Sequence, residues 1–305
     1  MCEKIINTNN EKIELIKKKI IRNKDIAPAM LVRSTFCKND NPKLIIEQIT
    51  FPNKKTINLV QDGYLIAGTK QRVAVLFMKK ILQKNKQIET LLYSGSSNGF
   101  GAIATAYSAF KLGLKSQVFL SGNVHEKDTR QINTLLALNA EVHLCPTYAE
   151  ARDLKYSVSD APKNINTHYN VPMGLNDENN IMTELLSRQI TLAARKTILK
   201  NSENTRIWLV GGSGGIAMSI HRAFPAAKLF ILLTGAGSHK RRVIEWAKKT
   251  KNISLIKDLH LENTVTYYSS VKNYDDLIAP YVIKYGRNND FIWNVSSDDY
   301  LFINK

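Results

Sequence analysis

Between residues 207 and 224 the chain passes from an apolar run, Ile207-Trp208-Leu209-Val210, through Gly211-Gly212-Ser213-Gly214-Gly215 into a second apolar segment of helical spacing. Four glycines in five residues carry a large entropic penalty on folding, so such a connection needs a reason. Close approach of an anion supplies one. Backbone N–H groups converge at a strand-to-helix turn, and the positive end of the helix dipole favours negative charge there. Glycine removes the Cβ that would stand in the way, and the Ser213 hydroxyl adds a donor. A strand whose carboxyl end opens onto a helix's amino end belongs to the α/β class.

The same alternation runs through most of the chain. Apolar runs at 88–93, 115–120, 141–144, 207–210, 228–234 and 291–295 have strand length. Segments 73–82, 102–112, 125–138, 181–199, 216–224, 240–249 and 275–285 carry apolar residues at helical spacing. Gly113 stands where a left-handed helix cap belongs. Residues 11–22 read as a basic amphipathic helix, 23–55 as a loop rich in Asn, Lys and Pro, and 157–170 as a polar connector. Short apolar pieces at 58–60 and 64–66 flank the turn signal Asp62-Gly63. Strands alternating with helices imply parallel sheets and right-handed crossovers. The expected architecture is two three-layer α/β/α domains with mostly parallel sheets. A smaller domain at 72–160 is inserted into a larger one made of 1–71 and 161–305.

Composition excludes several classes. No run among the 305 residues approaches the ~18–20 apolar residues of a membrane span. Glu3, Lys4, Glu11 and Glu14 interrupt the region where a secretory leader would lie. Cys2, Cys37 and Cys145 form no C-x-x-C, which fits a reducing, cytoplasmic setting. The six histidines show no metal-ligand spacing, so no metal is expected. A net charge of +17 attracts anionic partners, nucleic acid among them, although the lysines are scattered. Gly212, Gly214 and Ala217 have the spacing of a dinucleotide fingerprint, but the next apolar run ends in Thr234-Gly235 with no acid for a ribose hydroxyl. A phosphate group fits the loop better than a dinucleotide does.

Two further segments give that phosphate a context. Ala67-Gly68-Thr69-Lys70-Gln71-Arg72 presents Lys70 on a glycine-led turn at a helix start, and Ser94-Gly95-Ser96-Ser97-Asn98-Gly99 is a polar loop between a strand and a helix. In that loop Ser96, Ser97, Asn98 and the N–H groups from Gly99 to Gly101 could grip a carboxylate or ring hydroxyl, and Ser97 or Asn98 could equally cap the helix. A lysine in an apolar site loses its proton more readily and becomes a nucleophile. A turn-borne lysine, an asparagine loop and a phosphate cradle, in this order, are the parts that hold pyridoxal 5′-phosphate.

The series resembles the fold-type II pyridoxal-phosphate enzymes of the tryptophan synthase β superfamily, nearest to the aminocyclopropanecarboxylate deaminase and D-cysteine desulfhydrase group. Gly68-Thr69-Lys70-Gln71-Arg72 matches that group's Gly-x-Lys-x-Arg motif, Ser97-Asn98 its Ser-Asn pair, and Gly212 to Gly215 its phosphate loop. Phe291-Ile292-Trp293-Asn294-Val295-Ser296-Ser297 resembles the strand that ends beside the pyridine ring. The resemblance implies that the cofactor lies in the cleft between the domains and that Lys70 carries it as a Schiff base and shuttles the substrate α-proton. It implies that Asn98 bonds the 3′-oxygen and that Ser97 binds the substrate carboxylate or acts beside it, flanked by Ser96 and Gly99. Gly211, Gly212, Ser213, Gly214 and Gly215 hold the phosphate, and Ser296 or Ser297 faces the pyridine nitrogen.

The sequence also departs from the group. Ser96 stands where Gln is common, Gly99 where His or Gln is common, and no counterpart of the deaminase's Tyr-Glu pair is evident, Tyr267-Tyr268 lying in that region without the acid. The expected activity is elimination, deamination or β-replacement on an amino acid or amine-bearing substrate, in a homodimer. The charge raises two alternatives: the same cofactor acting on a nucleotide or a base in DNA, or a catalytically inactive relative that binds the cofactor or nucleic acid.

Overall fold

The structure, a computed structural model, describes residues 39–97, 99–122, 126–162, 164–175, 180–200, 203–234, 238–256, 267–271 and 274–298. The helix expected at 11–22 lies outside them. The chain divides into two compact units. Ala74–Met173 belongs to one, and Asp40–Val73 with Gly174–Tyr300 to the other.

The first unit is built on a four-stranded, all-parallel sheet. Its strands are β3 (Thr90–Ser96), β4 (Lys115–Ser121), β5 (Ala140–Cys145) and β6 (His168–Asn170), in the order β5-β4-β3-β6. Helices α2 (Phe100–Leu112), α3 (Glu126–Ala137) and α4 (Tyr148–Ser159) make the crossovers. From β3 the chain steps to β4 and then β5, and returns through α4 to the far side of β3. Right-handed crossovers that change direction place their helices on opposite faces, which gives three layers. Gly113 ends α2 at φ 69, the left-handed cap that its position demanded. On β5, His143 stacks on Phe119 with centroids 4.6 Å apart and Cys145 is buried, both as packing residues.

The second unit holds a six-stranded sheet in the order β1-β2-β10-β7-β8-β9. The strands are β1 (Ile46–Thr50), β2 (Thr56–Gln61), β7 (Arg206–Gly211), β8 (Lys228–Leu233), β9 (Ile253–Ile256) and β10 (Phe291–Asn294). Only β1 runs antiparallel among them, as the edge partner of β2. Helices α5 (Ile181–Ala194), α6 (Gly215–Ala223), α7 (Ser238–Lys248) and α8 (Ala279–Tyr285) belong here, and α1 (Gln71–Lys84) starts in this unit and ends in the other. Residues 207–211 are all buried, as expected of a central parallel strand covered on both faces. Ile57, Leu59, Trp208, Val210, Leu232, Tyr281 and Ile292 form one core layer, where Trp208 stacks on Phe230 at 4.1 Å. Among the described residues no helix is long and apolar enough to cross a membrane.

Several segments differ from the sequence expectation. Part of the 23–55 loop is β1, which pairs with β2 from Ile46↔Val60 to Thr50↔Thr56. The 157–170 connector holds the end of α4, capped at its start by Thr147, and the whole of β6, an edge strand parallel to β3. Ser94, Gly95 and Ser96 are not loop residues; the β3–β4 ladder continues to Ser96↔Ser121 and draws them into the strand. The helix at 275–285 begins with a 3-10 segment, Asp275–Ile278, before α8.

Candidate active site

The Lys70 turn is built against the end of β10. Gly68–Lys70 form a single 3-10 turn that hands over to α1 at Gln71. Thr69 donates its N–H to the Val295 carbonyl at 2.8 Å, and Trp293 Nε1 donates to Thr69 Oγ1 at 3.1 Å. Gly68 has φ 58, and a Cβ there would lie 2.4 Å from the Val295 oxygen. Glycine is required at this position both for backbone and for space.

Behind the turn, Arg72 and Asp62 are both buried and form a forked ion pair. Arg72 Nε donates to Asp62 Oδ1 and Oδ2 at 3.0 and 3.1 Å, and Nη2 to Oδ1 at 2.5 Å. Nη1 donates to Asn41 Oδ1 and the Pro42 carbonyl at 2.7 and 2.6 Å. With its edges thus occupied, Arg72 positions the start of α1, and therefore Lys70 two residues earlier. The arginine of the Gly-x-Lys-x-Arg motif is a structural member of the turn.

Lys70 keeps partial exposure, yet desolvation by its surroundings lowers the pKa of its ammonium group. Asp275 opposes that shift as a nearby negative charge. Burial pushes the Asp275 carboxyl up to about 7, against hydrogen bonds from Ser296 and the charge of Lys70. Ser296 donates its N–H and its hydroxyl to Asp275 Oδ2 at 3.0 and 3.1 Å. Asp275 Oδ1 is buried with no hydrogen-bond partner. A buried carboxylate oxygen left unpaired is costly. Ser297 is turned elsewhere, its Oγ lying 2.7 Å from Ser269 Oγ.

Tyr274, the neighbour of Asp275, links this cluster to the glycine loop. Its hydroxyl meets the Gly212 backbone N–H, and burial, then Asp275, pushes its pKa up to about 12. A Cβ on Gly212 would sit 3.0 Å from that hydroxyl. The loop itself runs from the last residue of β7, Gly211, to the first of α6, Gly215, with Gly214 at φ 84. Two of its glycines also answer to packing, since a Cβ on Gly211 would lie 2.6 Å from Ile231 Cγ2 and one on Gly214 2.6 Å from Val243 Cγ2. Lys70, Asp275, Ser296, Tyr274 and the glycine loop thus lie within one unit.

The Ser96–Gly99 segment belongs to the other unit, and Asn98 lies outside the described residues. Ser96 is exposed, and its carbonyl accepts the Gly99 N–H at 3.0 Å, which engages one of the donors expected to face a ligand. Ser97 is buried and donates its N–H to the Ser121 carbonyl at 3.0 Å. The N-cap of α2 is Gly99, which has no side chain to cap with, and the Tyr93 ring folds over Gly95 and Gly101 instead. Capping by Ser97 is therefore not the arrangement found.

No family model matches the sequence, and no curated protein is similar to it by sequence. Solved structures do match. An aminocyclopropanecarboxylate (ACC) deaminase homologue superposes with a TM-score of 0.64 at 13% identity, over 85% of this chain and 91% of that one. A hydrogen sulfide-producing enzyme from Fusobacterium nucleatum gives 0.61 at 11%, over 88% and 99%. Diaminopropionate ammonia lyase from Escherichia coli, in complex with D-serine, gives 0.59 at 10%, over 88% and 90%. The chain has the fold of the fold-type II pyridoxal-phosphate enzymes.

Asp275 is a buried acid near Lys70 that the sequence did not single out. The tyrosine–acid pair was sought at Tyr267-Tyr268. Tyr268 is a core residue whose hydroxyl donates to the Asp275 carbonyl at 2.9 Å, and Tyr267 packs edge-on against Phe51 at 5.1 Å. A tyrosine followed by an acid occurs six residues after Tyr268, as Tyr274-Asp275. The available signal was that dipeptide at the start of the 275–285 segment, where an acid also reads as an ordinary helix-start residue.

Proposed function

We propose that the chain is a pyridoxal-phosphate-dependent lyase or deaminase acting on an amino acid or a similar amine. The observation that carries this reading is the desolvated Lys70 beside buried Asp275, whose Oδ1 has no partner, on the same unit as the glycine loop. These residues fit the cofactor. Lys70 would supply the amine that condenses with its aldehyde and releases water, the N–H groups of the 211–215 loop not engaged by Tyr274 and the Ser213 hydroxyl would receive its phosphate, and Asp275 Oδ1 would accept its ring N–H. Ser296, proposed from sequence to face that nitrogen, has its hydroxyl proton on Asp275 and serves as the carboxylate's support. From the resemblance, Asn98 contributes at the ring oxygen, and Ser96, Ser97 and Gly99 on the substrate side.

When bound, pyridoxal phosphate supplies an electron sink for charge developing at the substrate Cα, and a carboxylate at its ring nitrogen strengthens that sink. The chain supplies the rest. Desolvation keeps Lys70 Nζ available as a base, so that it takes and returns the proton at the substrate Cα. Buried Asp275 would hold a proton at the ring nitrogen more firmly than a hydroxyl would.

The test is cofactor uptake. Purified protein incubated with pyridoxal phosphate is expected to gain a visible absorbance band, and borohydride reduction to leave the label on the peptide containing Lys70. Lys70→Ala should show neither. A wild-type protein that stays colourless and unlabelled would refute the proposal.

A further inference from the structure

The six-stranded sheet carries the candidate active site at the carboxyl ends of its strands. Its amino ends carry something else. At the starts of β7 and β8 lies a cavity of about 560 Å³, rimmed by Asn204, Arg206, Lys228, Phe230, Asn252 and Arg287. It adjoins a second cavity of about 360 Å³ that shares Asn204, Arg206 and Arg287 and reaches Asp290 and Glu203. β7 separates this end from the glycine loop by its full length of six residues, roughly 17–20 Å.

The charges here are unbalanced. Three cations line the larger cavity, and no carboxylate does. The Arg206 guanidinium lies over the Phe230 ring at 4.6 Å and the Lys228 ammonium lies over the same ring at 5.3 Å, so two like charges share one aromatic. Asp290 offsets Arg206 only in part. Its Oδ2 already accepts Trp208 Nε1 at 2.7 Å and the Arg287 N–H at 2.9 Å, and Arg206 Nε stands 3.6 Å away without a hydrogen bond. Among the described residues no carboxylate lies within ion-pairing distance of Lys228 or Arg287. Like charges gathered in a concavity without counter-charge raise the local potential and draw an anion. The volume is that of a small-molecule site, and asparagine amides at its rim add neutral donors.

The geometry points to a second ligand site at the amino ends of β7 and β8, for a small phosphate-bearing anion. Arg206, stacked on Phe230 and Trp208 and tied to the Tyr285 carbonyl at 3.3 Å, is the fixed donor. Lys228 and Arg287 are the free charges that close on the phosphate.

Isothermal titration of dialysed protein whose glycine loop is filled by pyridoxal phosphate fixed with borohydride, with adenosine monophosphate and separately with inorganic phosphate, tests this. One equivalent per chain is expected, weakened about tenfold by Lys228→Gln or Arg287→Gln and unchanged by Lys79→Gln, an exposed lysine on α1. Competition by inorganic phosphate, with the same dependence on the two variants, would assign the affinity to the phosphate group alone and supports the site. Tight binding of the nucleotide without such competition would assign it to the nucleotide and also supports the site. The proposal fails if nothing saturates below ~1 mM. It fails equally if the double variant binds as wild type does, or if only an oligonucleotide binds.

Discussion

Replacing Asp275 by Asn separates what this residue costs the fold from what it offers a ligand. Burial raises its carboxyl from 3.8 to about 7 in the folded chain. A carboxyl raised by folding binds its proton more tightly in the native state, so its contribution to stability is greatest below the unfolded pKa. That contribution is lost as pH rises towards the folded one. A rise of about 3 units, at ~1.4 kcal/mol each, withdraws about 4 kcal/mol from the folded state above neutrality. In Asp275→Asn the amide oxygen can keep both bonds from Ser296, while its NH2 occupies the place of the unpartnered Oδ1. That stranded donor costs about 1–3 kcal/mol. The variant should therefore be more stable than wild type by about 1–3 kcal/mol at about pH 8, and no more stable at about pH 4. Urea denaturation of cofactor-free protein across that range measures the difference. The same variant should hold pyridoxal phosphate more weakly. A difference between the two proteins that does not change with pH would refute the argument, since it would mean Asp275 does not titrate where its burial requires.

Three other outcomes are expected. Arg72→Met leaves Asp62 charged and buried, and should cost about 3–5 kcal/mol in a denaturant titration; a loss below ~1 kcal/mol would show that the pair does not hold the Lys70 turn. Gly68→Ala forces a side chain into φ 58 and 2.4 Å from the Val295 oxygen, and should cost at least about 1–3 kcal/mol while reducing borohydride labelling of Lys70. Cys145, its thiol pushed up to about 11 first by burial and then by Glu150, should resist iodoacetamide near neutral pH until the chain is unfolded, as peptide mapping would read.

The parts of the fold that were legible in the sequence share a physical trait: they contain fully buried apolar residues or carry an obligatory glycine. β7, the glycine loop and α6 read directly from an unbroken apolar run and its punctuation, and Gly113 announced the end of α2. β1, β6 and β9 did not, because none of the three contains a fully buried residue, whereas β5, also at an edge, and β10, also four residues long, do. Asn139, Asn204, Asn252 and Asn289 all adopt left-handed backbone just before β5, β7, β9 and β10. They fill positions that glycine usually takes. At the candidate site, Lys70 and the glycine loop were visible from their local motifs. Asp275 was not, because what distinguishes a buried acid from a surface one is made by Ser296 and Lys70, which are remote in sequence.

The placement of β10 has a consequence for how the molecule comes into being. It is the last strand among the described residues, yet it sits in the middle of the six-stranded sheet, joining the β1–β2 hairpin to the β7–β8–β9 block. The Lys70 turn is pinned to it by a contact spanning 226 positions. A nascent polypeptide therefore exposes two unfinished sheet edges until the residues of β10 have left the ribosome. Only then does the Lys70 turn acquire the backbone it is built against.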